Sequence, residues 1–257
     1  MLISGHESEV HKMDQSGVPL LAVESLEAGY GDVRILNGVS IKVPSKSVVT
    51  IVGPNGAGKS TVLKALYGLA KVESGKVTLT KDGKVVDVLA TKPHNLSRIG
   101  IGYVPQIENI FPALSIDENL DVGYVQHAGK SLSEMKDAMY QRYPDLAGRK
   151  EDRAGALSGG QRQMLAMARA LMSEPDVLLL DEPSAGLAPA LVDQLFDELV
   201  RINKSGVTIL MVEQNARRAL EISDYGYVLD MGKNRHEGDG RKLANDPEIV
   251  GIYFGKR

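Results

Sequence analysis

Five consecutive β-branched residues, Val48-Val-Thr-Ile-Val52, run directly into Gly53-Pro-Asn-Gly-Ala-Gly-Lys59-Ser60. A short β-branched segment apolar on both faces reads as a buried central strand of a parallel sheet. The eight residues after it fit G-x-x-x-x-G-K-[ST], a loop that cradles the phosphates of a nucleotide triphosphate. Gly53, Gly56 and Gly58 lack a Cβ, so the backbone can curl closely around phosphate oxygens. Pro54, Asn55 and Ala57 complete the loop. Lys59 brings a point charge to the β- and γ-phosphates, and the Ser60 hydroxyl is placed to ligate Mg²⁺. Thr61-Val-Leu-Lys-Ala-Leu-Tyr-Gly68 is helical in pattern, and a helix N-terminus favours anions. A ligand-free glycine turn would not need a strand before and a helix after, and both are expected here.

A second apolar strand, Val177-Leu-Leu-Leu180, ends in adjacent carboxylates, Asp181 and Glu182. Successive strand side chains point to opposite faces. The bend into Pro183 nevertheless lets both carboxylates approach one site. Asp181 is expected on Mg²⁺ and Glu182 on the attacking water. Acidic pairs at strand ends are commonly just solvated, and the Lys59 loop is what favours the functional reading. Leu157-Ser-Gly-Gly-Gln161 could also offer backbone N–H groups to a phosphate, although the first loop already holds one. Two half-sites in one chain suggest two chains sandwiching the nucleotide, each supplying half of a site.

Taken together, these residues resemble the ATP-binding subunits of ABC transporters. Gly53 to Ser60 looks like the family's Walker A loop, Leu157 to Gln161 like its signature, and Val177 to Glu182 like Walker B. The likeness covers roughly residues 20–255. Walker A alone spans many nucleotide-hydrolysing families, whereas the signature is largely confined to this one. The resemblance implies an α/β fold: a P-loop (RecA-like) core, an antiparallel β subdomain and an inserted helical subdomain at about 107–156. It implies ATP and Mg²⁺ as cofactors. It places Tyr30 where an aromatic ring stacks on adenine, although packing on the antiparallel sheet is the alternative. Gln106 falls where a glutamine touches Mg²⁺ and water and senses a membrane partner. Gln214 falls at the switch position. Ser158, Gly159, Gly160 and Gln161 would meet the nucleotide of a partner chain, in a homodimer or a heterodimer.

Two departures narrow the branch. The switch is usually histidine, and none of the five histidines lies in a phosphate-facing motif. An amide can donate and accept hydrogen bonds but cannot relay a proton as imidazole can. Ala188 stands where many relatives carry aspartate. Glu213-Gln-Asn215 with Gly186-Leu-Ala-Pro189, and the ending 243–255, resemble the ATPases of branched-chain amino acid or urea importers. Such a subunit works against separate integral-membrane permeases, peripheral on the cytoplasmic face of the inner membrane. An exporter ATPase of the lipopolysaccharide type would favour histidine and aspartate at those two positions. A non-transport ABC ATPase acting on nucleic acid would show a basic face, zinc cysteines or long coiled-coil insertions. A poorly hydrolysing binding module is disfavoured by Glu182.

Composition adds exclusions. Thirty basic against thirty-three acidic residues give a net charge of −3, so no polyanion-binding surface and no nucleic-acid partner is expected. With no cysteine, neither disulfides nor thiolate metal sites can form. No apolar run approaches the roughly 20 residues that cross a bilayer. Residues 1–19 are polar and aperiodic, and are expected to be a disordered tail. Strands are expected at 20–27, 39–43, 76–80, 85–89, 101–104 and 207–212, with a tight hairpin turn at Lys81-Asp-Gly-Lys84. Helices are expected at 93–98, 115–122, 131–140 and 161–172. Phe111 could pack within the helical arm or dock the partner.

Overall fold

The computed structural model describes residues 18–125 and 130–254. The expected disordered tail lies, up to residue 17, outside the described residues, as does Gly255 at the chain's end. Strands β1 (Leu21–Tyr30), β2 (Val33–Val43), β4 (Lys71–Lys81) and β5 (Lys84–Asp87) form an antiparallel sheet in the order β2-β1-β4-β5. The turn between β4 and β5 has Asp82 at φ 51° and Gly83 at φ 72°. Two left-handed residues match the right-handed twist of a hairpin, which is why Asp-Gly was legible there.

The second sheet runs β10-β9-β3-β8-β7-β6. It comprises β3 (Val48–Val52), β6 (Ile101–Val104), β7 (Val177–Asp181), β8 (Thr208–Val212), β9 (Tyr225–Asp230) and β10 (Lys233–Asp239). Its neighbours pair parallel except for the β9–β10 hairpin. Every residue of β3, β7 and β8 is buried. Alternate residues serve two cores. Val49, Ile51, Leu179 and Leu210 face helix α1 (Lys59–Leu66) and the antiparallel sheet. Val48, Leu178, Leu180 and Met211 face helices α5 (Gly159–Leu171) and α6 (Pro189–Lys204). Both faces are thus covered, as a parallel sheet requires.

Between β6 and α5 lie α2 (Ile116–Gly123), α3 (Leu132–Arg142) and α4 (Pro144–Ala147), the α2 and α3 helices each opened by a Ser–Glu capping box. Their buried side chains, among them Ile116, Leu120, Met135 and Met139, join the α5–α6 core. The C-terminal part holds α7 (Ala216–Glu221), α8 (Gly240–Asn245) and α9 (Pro247–Ile249).

Several elements differ from expectation. The helix expected at 93–98 is two 3₁₀ turns, Pro93–Asn95 and Ser97–Ile99. Leu96 between them is the one buried residue of 93–98, a single anchor rather than the apolar face that a longer helix needs. β1 and β2 extend toward each other until Tyr30 pairs with Val33. Helix α5 begins at Gly159 rather than Gln161, so both signature glycines lie in its first turn. The Ser158 hydroxyl accepts from the Gln161 N–H at 3.3 Å, while the Gln161 side-chain oxygen accepts from the Ser158 N–H at 3.1 Å. That reciprocal cap is stronger than the poor helix propensity of two glycines.

Candidate nucleotide site

Parallel strands leave the sheet at one end, and β3, β7 and β8 deliver their functional residues there together. Asn55, Gly56, Gly58, Lys59, Ser60 and Thr61 line a cleft of about 510 Å³. Gln106, Glu182 and Gln214 line it too, with Tyr30 and Ile35 contributed by the antiparallel sheet. Tyr30 is 43% exposed at the edge of this cleft.

The loop's shape depends on glycine. Gly53 has φ 147°, and a Cβ there would lie 2.0 Å from the Leu229 carbonyl oxygen. The loop is also buttressed from β9–β10: the Gly232 N–H donates to the Ala57 carbonyl at 3.0 Å, and the Asn37 N–H to the Gly232 carbonyl at 2.8 Å. Lys59 is buried, and its ammonium donates to the carbonyls of Gly53 (3.0 Å) and Pro54 (3.2 Å). Burial lowers its pKa, and the charges of Glu182, Asp181 and Glu213 oppose that shift. The three carboxylates favour the charged ammonium, which the two loop carbonyls hold at the phosphate loop.

Asp181 is buried at the end of β7, and its Oδ1 has no hydrogen-bond partner among the described residues. Its Oδ2 accepts from the Tyr103 hydroxyl at 3.4 Å. A buried carboxylate oxygen without a proton donor fits a cation. Among the described residues no three His, Cys, Asp or Glu side chains gather as a metal cage. Mg²⁺ held by few protein ligands and by substrate phosphates needs none. Glu182 follows with φ 47°, a left-handed conformation costly for a residue with a long side chain. The turn is held by the Glu182 N–H donating to the Val212 carbonyl at 2.9 Å. Gln106 donates its Nε2 to Glu182 Oε2 at 2.8 Å, linking the segment after β6 to the carboxylate.

The signature residues lie elsewhere. Ser158, Gly160 and Gln161 line a separate cavity of about 530 Å³ between α4, α5 and α6, and Gly159 is exposed. Gly160 is buried, and a Cβ on it would come within 2.9 Å of Leu191. Ala188 precedes α6 without any side-chain cap, and Pro189 starts the helix. Phe111 is 44% exposed under the Arg169 guanidinium, 4.9 Å from its ring, so both packing and an accessible face coexist.

Sequence reasoning missed Ile35, Tyr103, Gly232 and Glu213. A charge ending the apolar strand β8 was a signal for Glu213. The other three carry no local signal, because their places depend on which strands pair.

A phosphate loop between β3 and α1, facing a carboxylate pair that ends β7, the parallel strand two places away across β8, defines a P-loop nucleotide triphosphatase. The family description "ABC transporter" matches residues 36–185. The chain belongs to the ABC transporter ATP-binding family and is an ATPase. It is 40% identical over 237 residues to a probable branched-chain amino acid transport ATP-binding protein, LivF, of Archaeoglobus fulgidus, covering 92% of this chain and 99% of that protein. BraG of Pseudomonas aeruginosa, a high-affinity branched-chain amino acid transport ATP-binding protein, is 36% identical over 92% of this chain and all of its own. The lipopolysaccharide export ATP-binding protein LptB of Haemophilus influenzae is 31% identical, with 93% and 98% covered. Among solved structures, the ADP conformation of MJ1267, an ATP-binding cassette of an ABC transporter, superposes with TM-score 0.78 at 30% identity, covering 92% and 99%.

Proposed function

We propose that this ATPase powers a separate membrane permease importing branched-chain amino acids or a similar small solute, as two ATP-binding subunits closing head to tail around two ATP. The observation that carries the reading is the split site. The phosphate loop, Glu182 and Gln214 share one cleft, while Ser158 and the α5 N-terminus lie outside it. An exposed helix N-terminus with free N–H groups suits the γ-phosphate held by a partner chain. The higher identity to LivF and BraG than to LptB supports import over export. Among the described residues no helix is long and apolar enough to cross a membrane. The transport path then belongs to other subunits, and this chain sits against them on the cytoplasmic face.

In this reading Lys59 and the loop N–H groups hold the β- and γ-phosphates, and Tyr30 stacks on the base. Ser60, Gln106 and Asp181 would hold Mg²⁺, which when bound supplies charge neutralisation at the phosphates. Glu182 orients a water and takes its proton as the water oxygen bonds to the γ-phosphorus and the bridging P–O bond breaks. Gln214 donates to the γ-phosphate as its charge develops. Binding closes the pair, and loss of the bridging phosphate reopens it, because a ligand shifts an equilibrium only by its differential affinity.

The test is reconstitution with a permease that co-purifies with it. ATP-dependent uptake of leucine, isoleucine or valine is expected, with the solute-loaded complex hydrolysing faster than the isolated subunit. Co-purification with an exporter, or solute-independent turnover with outward lipid movement, would overturn the import assignment.

A further inference from the structure

Glu213 is 1% exposed, yet it is a carboxylate, and no role in the chemistry above employs it. Its Oε1 accepts from the Ser184 N–H at 2.8 Å. Its Oε2 accepts from the Ser184 hydroxyl at 2.8 Å and from the Asn215 N–H at 3.1 Å. Burial pushes its pKa up, and the bonds from Ser184 and Asn215 oppose that shift. Ser184 lies two residues beyond Glu182, and Asn215 directly follows Gln214. One buried side chain therefore ties together the two turns that carry the candidate water-side carboxylate and the candidate switch amide.

The sheet explains why the tie is possible. β7 and β8 run parallel with Asp181 beside Val212, so Glu182 and Glu213 leave the sheet side by side. The Glu182 turn is left-handed at φ 47° and is pinned by one backbone bond to Val212. A residue in that conformation persists only where its surroundings over-determine it. Glu213 adds a buried side-chain constraint to the turn's own Ala185–Glu182 bond, and the same carboxylate fixes the entry to α7, whose first residues have no side-chain cap of their own.

We propose that Glu213 is a positioning residue for hydrolysis, holding Glu182 and Gln214 at a fixed separation across the γ-phosphate end of the cleft. The inference rests on the roles proposed above for those two residues.

Glu213→Gln discriminates well because it is isosteric. Its amide oxygen can still accept from the Ser184 N–H, and its NH₂ can donate to the Ser184 hydroxyl, which rotates to accept. In that orientation the Asn215 N–H faces a donor, and with the amide flipped the Ser184 N–H does, so one of the two backbone links is lost either way. Turnover of Mg-ATP by the full chain is expected to fall about 10- to 100-fold, as for a misplacement of about 1 Å. Affinity for a fluorescent ATP analogue should change little. Glu213→Gln combined with Gln214→Ala should lose less than the product of the two single losses, because residues acting as one unit are non-additive. Ser184→Ala, a milder change that keeps the backbone bond, should lower kcat in the same direction without raising KM, and covers the case in which Glu213→Gln folds poorly. Parental kcat in either folded variant while Gln214→Ala is slow would overturn the inference, as would additive losses in the double variant. Parental turnover in Glu182→Gln and Gln214→Ala would instead overturn the underlying roles, which separates the two failures.

Discussion

Glu182 combines three properties seldom met together in one side chain: a left-handed backbone, a hydrogen bond from Gln106 and a place in the nucleotide cleft. Glu182→Gln keeps the shape and removes the base, so ATP binding should persist while turnover falls about 10²- to 10⁴-fold. Single-turnover kinetics beside analogue binding checks this, and near-parental hydrolysis would remove Glu182 from the role. Gln214 lines the same cleft, and its carbonyl accepts from the Ala216 N–H at 2.8 Å. The N-cap of α7 is Asn215, and no side-chain bond caps that helix. Gln214→Ala should lose turnover far more than affinity. Gln214→His should keep appreciable activity and acquire a pH dependence between about pH 5 and 8, where imidazole changes charge and an amide does not. A flat pH profile in that variant would show that the residue does not meet the reacting phosphate.

The β9–β10 hairpin matters because its turn props the phosphate loop. Gly232 has φ 71°, and a Cβ there would lie 1.9 Å from the Ile35 carbonyl oxygen. Its N–H bonds Ala57 and its carbonyl bonds the Asn37 N–H, so the turn joins the loop to β2. Gly232→Ala should destabilise the chain by more than about 1 kcal/mol, since strained left-handed positions penalise a Cβ beyond the usual gain in chain stiffness. ATP affinity should fall with it. Urea melts and nucleotide titration on the same variant test the pair of effects. A destabilised protein with parental affinity would mean that the loop holds its shape without the hairpin. This hairpin was not legible in the sequence. Its β10 alternates exposed and half-buried residues, so no apolar period marks it.

The proposed assembly rests on the spatial separation of the phosphate loop from the α5 N-terminus. With Glu182→Gln slowing hydrolysis, ATP should drive the chain into a dimer readable by light scattering. Adding Ser158→Arg, which places a bulky cation at the α5 N-terminus, should return it to monomer. Equal dimerisation by the double variant would sink the head-to-tail arrangement. The permease-facing surface is expected near Gln106, Ile107 and Phe111, where Ile107 is 72% exposed. Asn119 holds the Phe111 backbone from both sides, accepting from its N–H at 2.8 Å and donating to its carbonyl at 3.0 Å. The exposed ring is therefore presented on a fixed backbone.

Local sequence determined the parts whose physics is local. The phosphate loop, the Asp-Gly hairpin turn, the capped starts of α2 and α3 and the buried strands β3, β6, β7 and β8 each carry their own signal. Glycine, reciprocal caps and unbroken apolar runs act over a few neighbours. The candidate cleft was legible to the same extent, since most of its lining comes from those motifs. Only the tertiary structure decided what depends on strand neighbours. It brought Ile35 into the cleft, set Tyr103 on Asp181, propped the loop with Gly232 and tied two turns through Glu213. Those contacts join residues far apart in the chain, and a pairing register, not a local propensity, puts them within hydrogen-bonding reach.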